Sequence, residues 1–498
     1  MDYKTLMIMK TNLFFISIFS LVLVGCSKYL DTSPDQRTEL DTPTKIAELL
    51  TSAYPRANYI PFMETASDNA GDKGERSGVT DPLNRSAWIY EDIISNDEDS
   101  PNFYWFAAYK AISAANHALR AIDKLGLTEE TKPLRGEALV ARAYAHHMLV
   151  MLFAQNYEPN GDNESPGIPY VTVPETEIIQ KYSRNTVQYV YNQIEKDLVE
   201  GIPLIVDNRY KITKYHFTRA AAHAFACRFY LFKGDLDKAL EHSNLALGDD
   251  LSNFIRHVND KDFLQREYFL KQQWYTIATN PSNLLLIEAP SLWGRNMATN
   301  RYGFTATLLS DLLVKKNVTN GAFAYPIFGG DSFVYHVPKF REMFVKSSIN
   351  ANYGIAINII PALTSDELLL NRAEIYARKQ QFDKCIKDLN AFISKKIYFH
   401  ADQPEYMPLL HNVNARKINA FYGSENLELN LIKTVLDFKR REFLFEGIRW
   451  MDILRMKIPV QHKAYDETVT YILSANSPKR MFQLPQEVII SGLEPNPR

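Results

Sequence analysis

Two segments of the chain repeat one spacing of aromatic and small residues, at relative positions 0, 4, 9 and 16. Both segments also follow the apolar period of about 3.6 residues that indicates amphipathic helices. A repeated helix pair cannot bury its apolar face alone and must stack on its neighbours. The repeated positions are occupied by Tyr230, Gly234, Ala239 and Ala246 in the first segment and by Tyr376, Gln380, Cys385 and Phe392 in the second.

The first segment, YLFKGDLDKALEHSNLAL, resembles the tetratricopeptide pattern well, and the second, IYARKQQFDKCIKDLNAFI, is a degenerate copy. In that pattern small residues let the first helix pack closely on the second, and an aromatic ring fills the seam. Helix pairs of this kind stack into a curved scaffold. The predicted fold class is therefore mainly α, a tetratricopeptide-like scaffold of helical pairs with long irregular, loop-rich insertions.

Helical patterning extends this scaffold over about residues 40–250 and 363–460. Thr42 as a cap and Pro43 at the first helical position predict a helix over 43–53. Further helices are predicted over 103–125, 132–153, 186–199, 216–233, 235–247, 365–379, 382–394 and 431–446.

Two insertions, about 56–102 and 251–362, interrupt the helical pattern with sequence rich in Asn, Gly and Pro. Within 268–353, fifteen of the 86 residues are Phe, Tyr or Trp, about 17% against 12% for the whole chain. A high aromatic content argues against disorder. The insertions are therefore predicted to be functional loops carried by a rigid scaffold.

The first 26 residues have the features of a bacterial export signal. Two lysines precede an uncharged apolar run over 13–24, which is too short to span a bilayer and suits a signal peptide. The run ends in LVGC, which resembles the lipobox of bacterial lipoproteins. Residues 1–25 are predicted to be a lipoprotein signal peptide, Cys26 the lipidation site and residues 26–498 one domain. An ordinary secretory signal with an incidental cysteine is the alternative.

Charge and cysteine content argue against other classes of protein. The 56 Lys and Arg residues against 58 Asp and Glu residues give no basic field for phosphate backbones, so nucleic acid is not a predicted partner. Three cysteines cannot build a disulfide framework in a chain of 498 residues. Cys227 and Cys385 lie in helical apolar patterns and are predicted to be small buried hydrophobic residues, with a disulfide between them as the alternative.

Several longer stretches resemble the SusD/RagB family. They are CSKYLDTSPD, RGEALVARAYAHHMLVMLFAQNY with GIPYVTVPE, VQYVYNQIEKDLVEGIPLI, FTRAAAHAFACRFYLFKGDLDKA, DELLLNRAEIYARKQQFDKCIKDLNAFI and FKRREFLFEGIRWMDILR. The last stretch is the most specific, and its motif residues are Glu442, Glu446, Arg449, Trp450, Asp452 and Arg455. Phe438-Lys439, where the family usually has Glu-Arg, and the closing LPQEVIISGLEPNPR depart from the family pattern.

The resemblance implies a surface-exposed outer-membrane lipoprotein of Bacteroidetes that captures nutrients together with a SusC-like TonB-dependent transporter. It also implies a mostly helical fold whose loop-rich part carries a glycan or peptide site. No cofactor is expected apart from the lipid on Cys26.

The charged motif residues invite a catalytic interpretation, which carboxylate chemistry argues against. Carboxylates paired with arginines have lowered pKa values and stay ionised, so they are unsuited to act as general acids at neutral pH. The motif is therefore predicted to be a structural salt-bridge network.

Signals for a metal or for a nucleophile are weak. His146 and His147 are adjacent on a predicted helix, without an H-E-x-x-H or Cys-x-x-Cys pattern. The acidic loops 97–99 and 162–164 lack the spacing of a calcium loop, so no metal is predicted and calcium in one of them is the alternative. The G-x-S-x-G, P-loop and G-x-G-x-x-G patterns are absent.

The aromatic loops are the predicted ligand site. Sugars bury their flat C–H faces on an exposed Trp or Tyr, while neighbouring amides and guanidinium groups bind the hydroxyls. Trp293 is the leading candidate because Gly294 and its polar neighbours suggest exposure, and packing of each ring under a loop is the alternative. Trp105 and Trp450 are predicted to be core residues. The predicted ligand-binding residues are Trp88, Tyr90, Trp293, Arg295, Asn296 and Tyr302.

These features together predict a non-enzymatic, lipid-anchored protein that binds a glycan and delivers it to a transporter. Capture of peptides or another nutrient on the same scaffold is the alternative. A surface glycosidase is a further alternative, because catalytic carboxylate pairs meet in space rather than in sequence.

Overall fold

The computed structural model describes residues 39–174, 181–330, 334–398 and 405–498. The predicted signal peptide and Cys26 lie outside the described residues. Residues 42–498 form one compact unit. Nineteen α-helices occur among the described residues, and their bounds are α1 Pro43–Leu50, α2 Ile60–Ala66, α3 Pro82–Trp88, α4 Pro101–Leu125, α5 Lys132–Phe153, α6 Val187–Gly201, α7 Arg219–Lys233, α8 Leu236–Leu247, α9 Lys261–Gln265, α10 Tyr268–Thr276, α11 Trp293–Thr299, α12 Ala306–Leu309, α13 Ser365–Arg378, α14 Phe382–Ser394, α15 Pro408–His411, α16 Ala415–Tyr422, α17 Leu427–Glu442, α18 Ile448–Arg455 and α19 Gln486–Ile490.

Strands are few and mostly short. In the described parts of the chain they form one three-stranded sheet and three two-stranded ones. Their bounds are β1 Gly71–Asp72, β2 Asn283–Pro290, β3 Tyr302–Gly303, β4 Ala322–Phe323, β5 Met343–Lys346, β6 Gly354–Thr364, β7 Ile397–Tyr398, β8 Val460–Lys463 and β9 Thr470–Leu473. The predicted mainly α fold class is confirmed.

The two repeat segments form two helical hairpins, α7 with α8 and α13 with α14. Each turn contains a residue with left-handed backbone, Gly234 at φ 83° and Gln380 at φ 55°. Glycine adopts this conformation without strain, whereas other residues seldom do. Ala239 and Cys385, which stand at the same repeat position, are completely buried. The small residues of the repeat therefore face the helix seam, as the spacing predicts.

Helix α13 joins the two hairpins, since it contacts α7 and α8 as well as α14. Arg228 of α7 donates its Nε–H to Glu367 of α13 at 2.7 Å, and both side chains are buried. Arg372 of α13 donates to Asp388 of α14 at 2.8 Å. Removing one partner of such a buried pair would leave an unpaired charge in the core.

The helix predicted over 431–446 is interrupted. Helix α17 ends and α18 begins at a turn in which Phe445 and Gly447 have φ values of 69° and 73°. The carboxylate of Glu64 accepts hydrogen bonds from the backbone N–H of Phe445 at 2.7 Å and of Gly447 at 3.0 Å. A distant side chain therefore fixes the break, which the local pattern does not show. Helix α5, in contrast, has the predicted bounds.

The insertion over 251–362 contains the three-stranded antiparallel sheet, in the order β2, β6, β5. Strand β2, NLLLIEAP, is mostly buried, and its Ile287 pairs with Ile360 of β6. The prediction of irregular structure is wrong for these strands. Their pairing joins segments that are far apart in the sequence, so a local pattern cannot reveal it.

Two further predictions concern cysteines and membrane spans. Cys227 and Cys385 are buried and free, so the prediction of two small core residues is confirmed and the alternative disulfide is wrong. Among the residues that the structure describes, no helix combines the length and the hydropathy needed to cross a membrane.

Candidate functional site

The four rings predicted to bind a ligand are buried. The exposed fraction is 1% for Trp88, 7% for Tyr90, 4% for Trp293 and 6% for Tyr302. A buried ring has no free face on which a sugar could stack. The prediction that Trp293 is exposed is therefore wrong.

Trp88 is the centre of a stack of rings. Its indole stacks on Tyr302 at 4.5 Å between centroids and on His462 at 5.0 Å, and His462 stacks on Tyr90 at 5.1 Å. The indole N–H of Trp88 donates to the carbonyl oxygen of Ala70 at 3.2 Å. These rings join segments from the early loop, the central insertion and the C-terminal region. They pack against one another in the core.

Gly294, next to Trp293, allows two segments to pack closely and does not indicate exposure. A Cβ atom at Gly294 would come within 2.8 Å of Asn358 Nδ2 and 3.0 Å of the backbone nitrogen of Glu342. The N–H of Gly294 donates to Asn358 Oδ1 at 2.8 Å, and the indole N–H of Trp293 donates to the carbonyl oxygen of Phe445 at 3.0 Å. The glycine therefore marks a close approach of two segments.

The two polar residues of the predicted site lie nearer to solvent. Arg295 is exposed and pairs with Glu342, and Asn296 is half-buried. As ligand contacts, all six residues stay a prediction. The structure adds that the aromatic members are packed against protein.

The C-terminal motif residues lie in a cluster of buried charges. Arg256 donates to Glu442 at 3.1 Å and to Glu446 at 2.6 Å. The ammonium of Lys339 donates to Glu446 at 2.6 Å, and that of Lys396 lies 2.8 Å from Glu442. The other charged motif residues pair as Arg449 with Asp68, Asp452 with Lys439, and Arg455 with Glu374. Trp450 and Trp105 are both buried, as predicted for core residues.

The buried cations of this cluster change the pKa of the Glu442 carboxyl. Burial by itself raises the pKa of the Glu442 carboxyl, but the ammonium and guanidinium groups of Lys396, Arg256 and Lys339 outweigh it and lower the pKa to about 2. The carboxylate therefore stays ionised at neutral pH and is unsuited to donate a proton as a general acid.

The histidines and acidic loops singled out in the sequence serve packing and turns. His146 and His147 are completely buried, and burial lowers the pKa of each to about 3. Asp99 accepts a hydrogen bond from the backbone N–H of Leu292 at 2.9 Å. Within the described ranges, no group of three or more His, Cys, Asp or Glu side chains is arranged to hold a metal ion.

A cleft of about 370 Å³ lies along helix α10 and the Asn-Pro-Ser-Asn loop that follows it. Clefts of this volume are typical of small-ligand sites. One part of the lining is apolar and the other carries amide, hydroxyl and guanidinium groups. The lining residues are Arg266, Leu270, Gln273, Trp274, Ile277, Thr279, Asn280 and Pro281.

Trp274 distinguishes this cleft from the predicted site. The chain has five tryptophans, all within the described residues, and four of them are at most 4% exposed. Trp274 alone is half-buried. Phe263 packs against the indole at 4.3 Å between centroids, and the rest of the ring lines the cleft. A fixed, partly open indole of this kind offers an apolar face to a ligand.

Asparagine side chains hold the loop against the end of α10. Asn280 Nδ2 donates to the carbonyl oxygen of Trp274 at 2.8 Å, and Asn283 Nδ2 donates to those of Tyr275 at 3.1 Å and Ile277 at 3.0 Å. The last carbonyl groups of a helix have no intrahelical partner, so these bonds satisfy them. The wall of the cleft is thus formed before any ligand binds.

Three polar side chains remain available in the cleft. Arg266, Gln273 and Thr279 are exposed, and in the described part of the chain none of the three side chains has a hydrogen-bond partner. Asn280, by contrast, is already engaged, since its Oδ1 also accepts from the backbone N–H of Ser282. The cleft can therefore combine stacking on Trp274 with hydrogen bonds from three unengaged groups.

The sequence pattern placed the Asn-Pro-Ser-Asn loop in the irregular insertion over 251–362 but did not reveal Trp274 or the helix that carries it. The available signal was the spacing of Leu270 and Trp274, four residues apart, which places both on one face of a short helix. A helix of nine residues is too short for periodicity alone to be persuasive.

A second cavity borders Tyr90, Trp450 and Phe482, next to the ring stack. Its volume is about 20 Å³, which has room for about one water molecule. This cavity is too small to hold a sugar ring.

The chain is similar in sequence to one known family. Residues 28–231 match the model of a SusD-like family described as starch-binding and associating with the outer membrane. No curated protein sequence matches the chain.

Solved structures resemble the chain over most of its length. A crystal structure of a candidate sugar-binding protein from Bacteroides vulgatus is 20% identical, with a TM-score of 0.68 over 93% of this chain and 99% of the other. A SusD superfamily protein from the same species is 17% identical, with a TM-score of 0.68 over 92% and 99%. A SusD-like carbohydrate-binding protein, also from Bacteroides vulgatus, is 15% identical, with a TM-score of 0.63 over 90% and 96%. At these identities the structures establish the fold.

Proposed function

Because the chain is a member of the SusD/RagB family, we propose that it is a lipid-anchored protein of the outer-membrane surface that binds a glycan and delivers it to a TonB-dependent transporter. The family description supports sugar binding and association with the outer membrane. The lipid anchor, the transporter and the binding site are our proposal.

The half-buried indole of Trp274 in the cleft beside α10 carries the proposal. A pyranose ring presents C–H groups on its flat face, and burying them on an indole removes apolar surface from water. Leu270, Ile277 and Pro281 extend the apolar surface around the ring, and Gln273 and Thr279 supply groups that can bind sugar hydroxyls. The cleft thus has both components of a sugar site.

Binding without chemistry is the proposed mode of action. The buried carboxylates of Glu442 and Glu446 are occupied by Arg256, Lys339 and Lys396. The cleft itself is lined by no Asp or Glu side chain. We therefore expect that a retained oligosaccharide is recovered intact after incubation with the protein, and release of shorter products would favour the glycosidase.

The test of the site is a glycan array followed by titration calorimetry, with the variants Trp274→Ala and Phe269→Ala. Phe269 is a matched control, since it is an exposed ring on the same helix that does not line the cleft. Trp274→Ala should lower affinity for the retained glycan about tenfold or more, and Phe269→Ala should change it less than twofold. Equal affinity of the Trp274→Ala variant would reject the cleft.

The aromatic residues predicted from the sequence to bind the ligand are tested in the same way, as the competing hypothesis. A variant with Trp88→Ala and Trp293→Ala addresses the site predicted from the sequence. Loss of binding in that variant, at a temperature where it remains folded and with Trp274→Ala unaffected, would return the site to those residues. Retention of a peptide library in place of glycans would favour the peptide alternative, for which Leu270 and Pro281 offer apolar contacts.

The anchor and the partner have separate tests. Metabolic labelling with a fatty acid should label the wild-type chain and not the Cys26→Ala variant. Gentle extraction of the outer membrane should co-purify a β-barrel transporter with the lipidated protein. Absence of labelling or of a transporter would contradict the corresponding part of the proposal and leave glycan binding unaffected.

A further inference from the structure

The lining of the cleft carries a positive charge and no negative charge. Of its eight lining residues only Arg266 is charged, and the remaining polar groups are the neutral side chains of Gln273, Thr279 and Asn280. A guanidinium can bind the hydroxyls of a neutral sugar, but its hydrogen bonds to a carboxylate or a sulfate are stronger. We propose that the cleft binds an acidic glycan, whose carboxylate or sulfate group pairs with Arg266 while a sugar ring stacks on Trp274. This inference rests on the proposed function and names the class of glycan.

The backbone of Arg266 is fixed while its side chain is not engaged. Its N–H donates to the carbonyl oxygen of Phe263 at 3.2 Å, and its own carbonyl oxygen accepts a hydrogen bond from the ammonium of Lys271. Across the described residues the guanidinium makes no ion pair and no hydrogen bond. In the other candidate site, Arg295 is already paired with Glu342. Of these two arginines, Arg266 is therefore the one that a ligand can bind without breaking an existing ion pair.

The surroundings of Arg266 favour an anion. Lys271 lies outside the lining, and its buried ammonium donates to the Arg266 carbonyl oxygen and interacts electrostatically with the carboxylate of Glu267. The nearest acidic residue in the sequence is Glu267, which is exposed and lies outside the lining. A carboxylate entering the cleft therefore meets a cation and no lining carboxylate.

Guanidinium is well suited to this role. Its planar fork donates two parallel hydrogen bonds to a carboxylate or sulfate, which gives orientation as well as attraction. A uronic acid sugar carries its carboxylate at the edge of the ring, so its flat face remains available for the indole. A sulfated sugar offers the same combination of an apolar face and an anionic edge.

The first experiment is an array that displays neutral, uronate-containing and sulfated glycans, applied to the whole mature chain. We expect retention of acidic glycans above their neutral counterparts, and the uronate and sulfate arms distinguish the two anions. Retention of neutral glycans alone, lost in Trp274→Ala, would overturn this inference and leave the proposed function standing. Absence of any glycan binding that depends on Trp274 would contradict the proposed function itself.

The second experiment titrates a retained acidic oligosaccharide against Arg266→Gln, Arg266→Lys and Arg76→Gln. Arg76 is a matched control because it is an exposed arginine outside the cleft. We expect about a tenfold loss of affinity in Arg266→Gln, a smaller loss in Arg266→Lys and less than a twofold change in Arg76→Gln.

A carboxyl-reduced form of a uronate ligand, or the desulfated form of a sulfated one, provides the neutral comparison. Arg266→Gln should leave its affinity unchanged, and the difference between acidic and neutral forms should shrink at high salt because charge attraction is screened. Equal losses for the acidic and neutral forms would overturn the assignment of Arg266 to the anion.

Discussion

The indole of Trp88 and the imidazole of His462 stack face to face, with centroids 5.0 Å apart and planes 2° apart. His462 Nδ1 lies 2.6 Å from the carbonyl oxygen of Trp88 itself, and Nε2 lies 2.9 Å from that of Ser67. The imidazole is thus held by polar contacts at both nitrogens as well as by its faces. A residue from the C-terminal region thereby fixes a ring of the early loop.

This relationship predicts that Trp88 serves stability. Trp88→Ala removes a 1% exposed indole and should lower the free energy of unfolding by about 3–5 kcal/mol. Trp274→Ala, which truncates a half-buried ring, should cost much less stability and mainly weaken ligand binding. Urea denaturation of both variants measures the difference. A Trp88→Ala variant that unfolds at the wild-type urea concentration would contradict the packed role.

Glu442 predicts the response to acid. Its folded pKa of about 2 lies below the ordinary value of 4.5, because the cations of Lys396, Arg256 and Lys339 outweigh the effect of burial. A depressed carboxyl pKa gives stability that is complete above about pH 4.5 and is lost as the pH falls toward 2. Glu442→Gln should therefore be less stable than wild type at pH 7, and the gap should narrow below pH 4.5.

Melting temperatures recorded between pH 2 and pH 7 check this sign. Glu130→Gln is a suitable control because Glu130 is exposed at the surface and, within the described residues, its side chain makes no hydrogen bond or ion pair. A gap between wild type and Glu442→Gln that widens as the pH falls would show that the ion pairs do not hold the Glu442 carboxylate in its charged form.

Substitution of Glu446 distinguishes a structural role of the C-terminal motif from a ligand-binding role. Its carboxylate accepts from Arg256 and from Lys339, both at 2.6 Å, and all three side chains are buried. Glu446→Gln removes the carboxylate that pairs with Lys339 and one of the two that pair with Arg256, and it should cost about 3–5 kcal/mol of stability, as broken buried pairs do. The folded fraction should bind the glycan with wild-type affinity. Normal melting together with abolished binding would place Glu446 in the ligand site instead.

Local features of the fold could be predicted from the sequence. The cap at Thr42, the stop at Gly234 and the full length of α5 each depend on residues within one or two turns of helix. The burial of Cys227 and Cys385 followed from the apolar side of their helices. These predictions needed no information about distant segments.

Features that depend on distant contacts could not be predicted. The pairing of β2 with β6 and the turn that Glu64 holds at Phe445 both join segments far apart in the chain. The same limit applies to the candidate site. Gly294 next to Trp293 looked like a sign of exposure, while Trp274, on a short helix, gave too little local pattern to stand out.

Substitution of Gly294 tests whether this glycine is required for close packing or for ligand contact. A methyl group in Gly294→Ala would meet Asn358 Nδ2 at 2.8 Å and the Glu342 nitrogen at 3.0 Å. Overpacking of this kind typically costs about 1–3 kcal/mol. Arg295→Ala, which removes a surface pair next to it, should cost less than about 1 kcal/mol.

Urea denaturation and glycan titration of both variants decide between the two roles. Because no residue of α11 lines the cleft, neither variant should change glycan affinity more than twofold. A large loss of affinity in Gly294→Ala or Arg295→Ala, with stability retained, would move the ligand to α11. Loss of stability with unchanged affinity would leave the cleft beside Trp274 as the site.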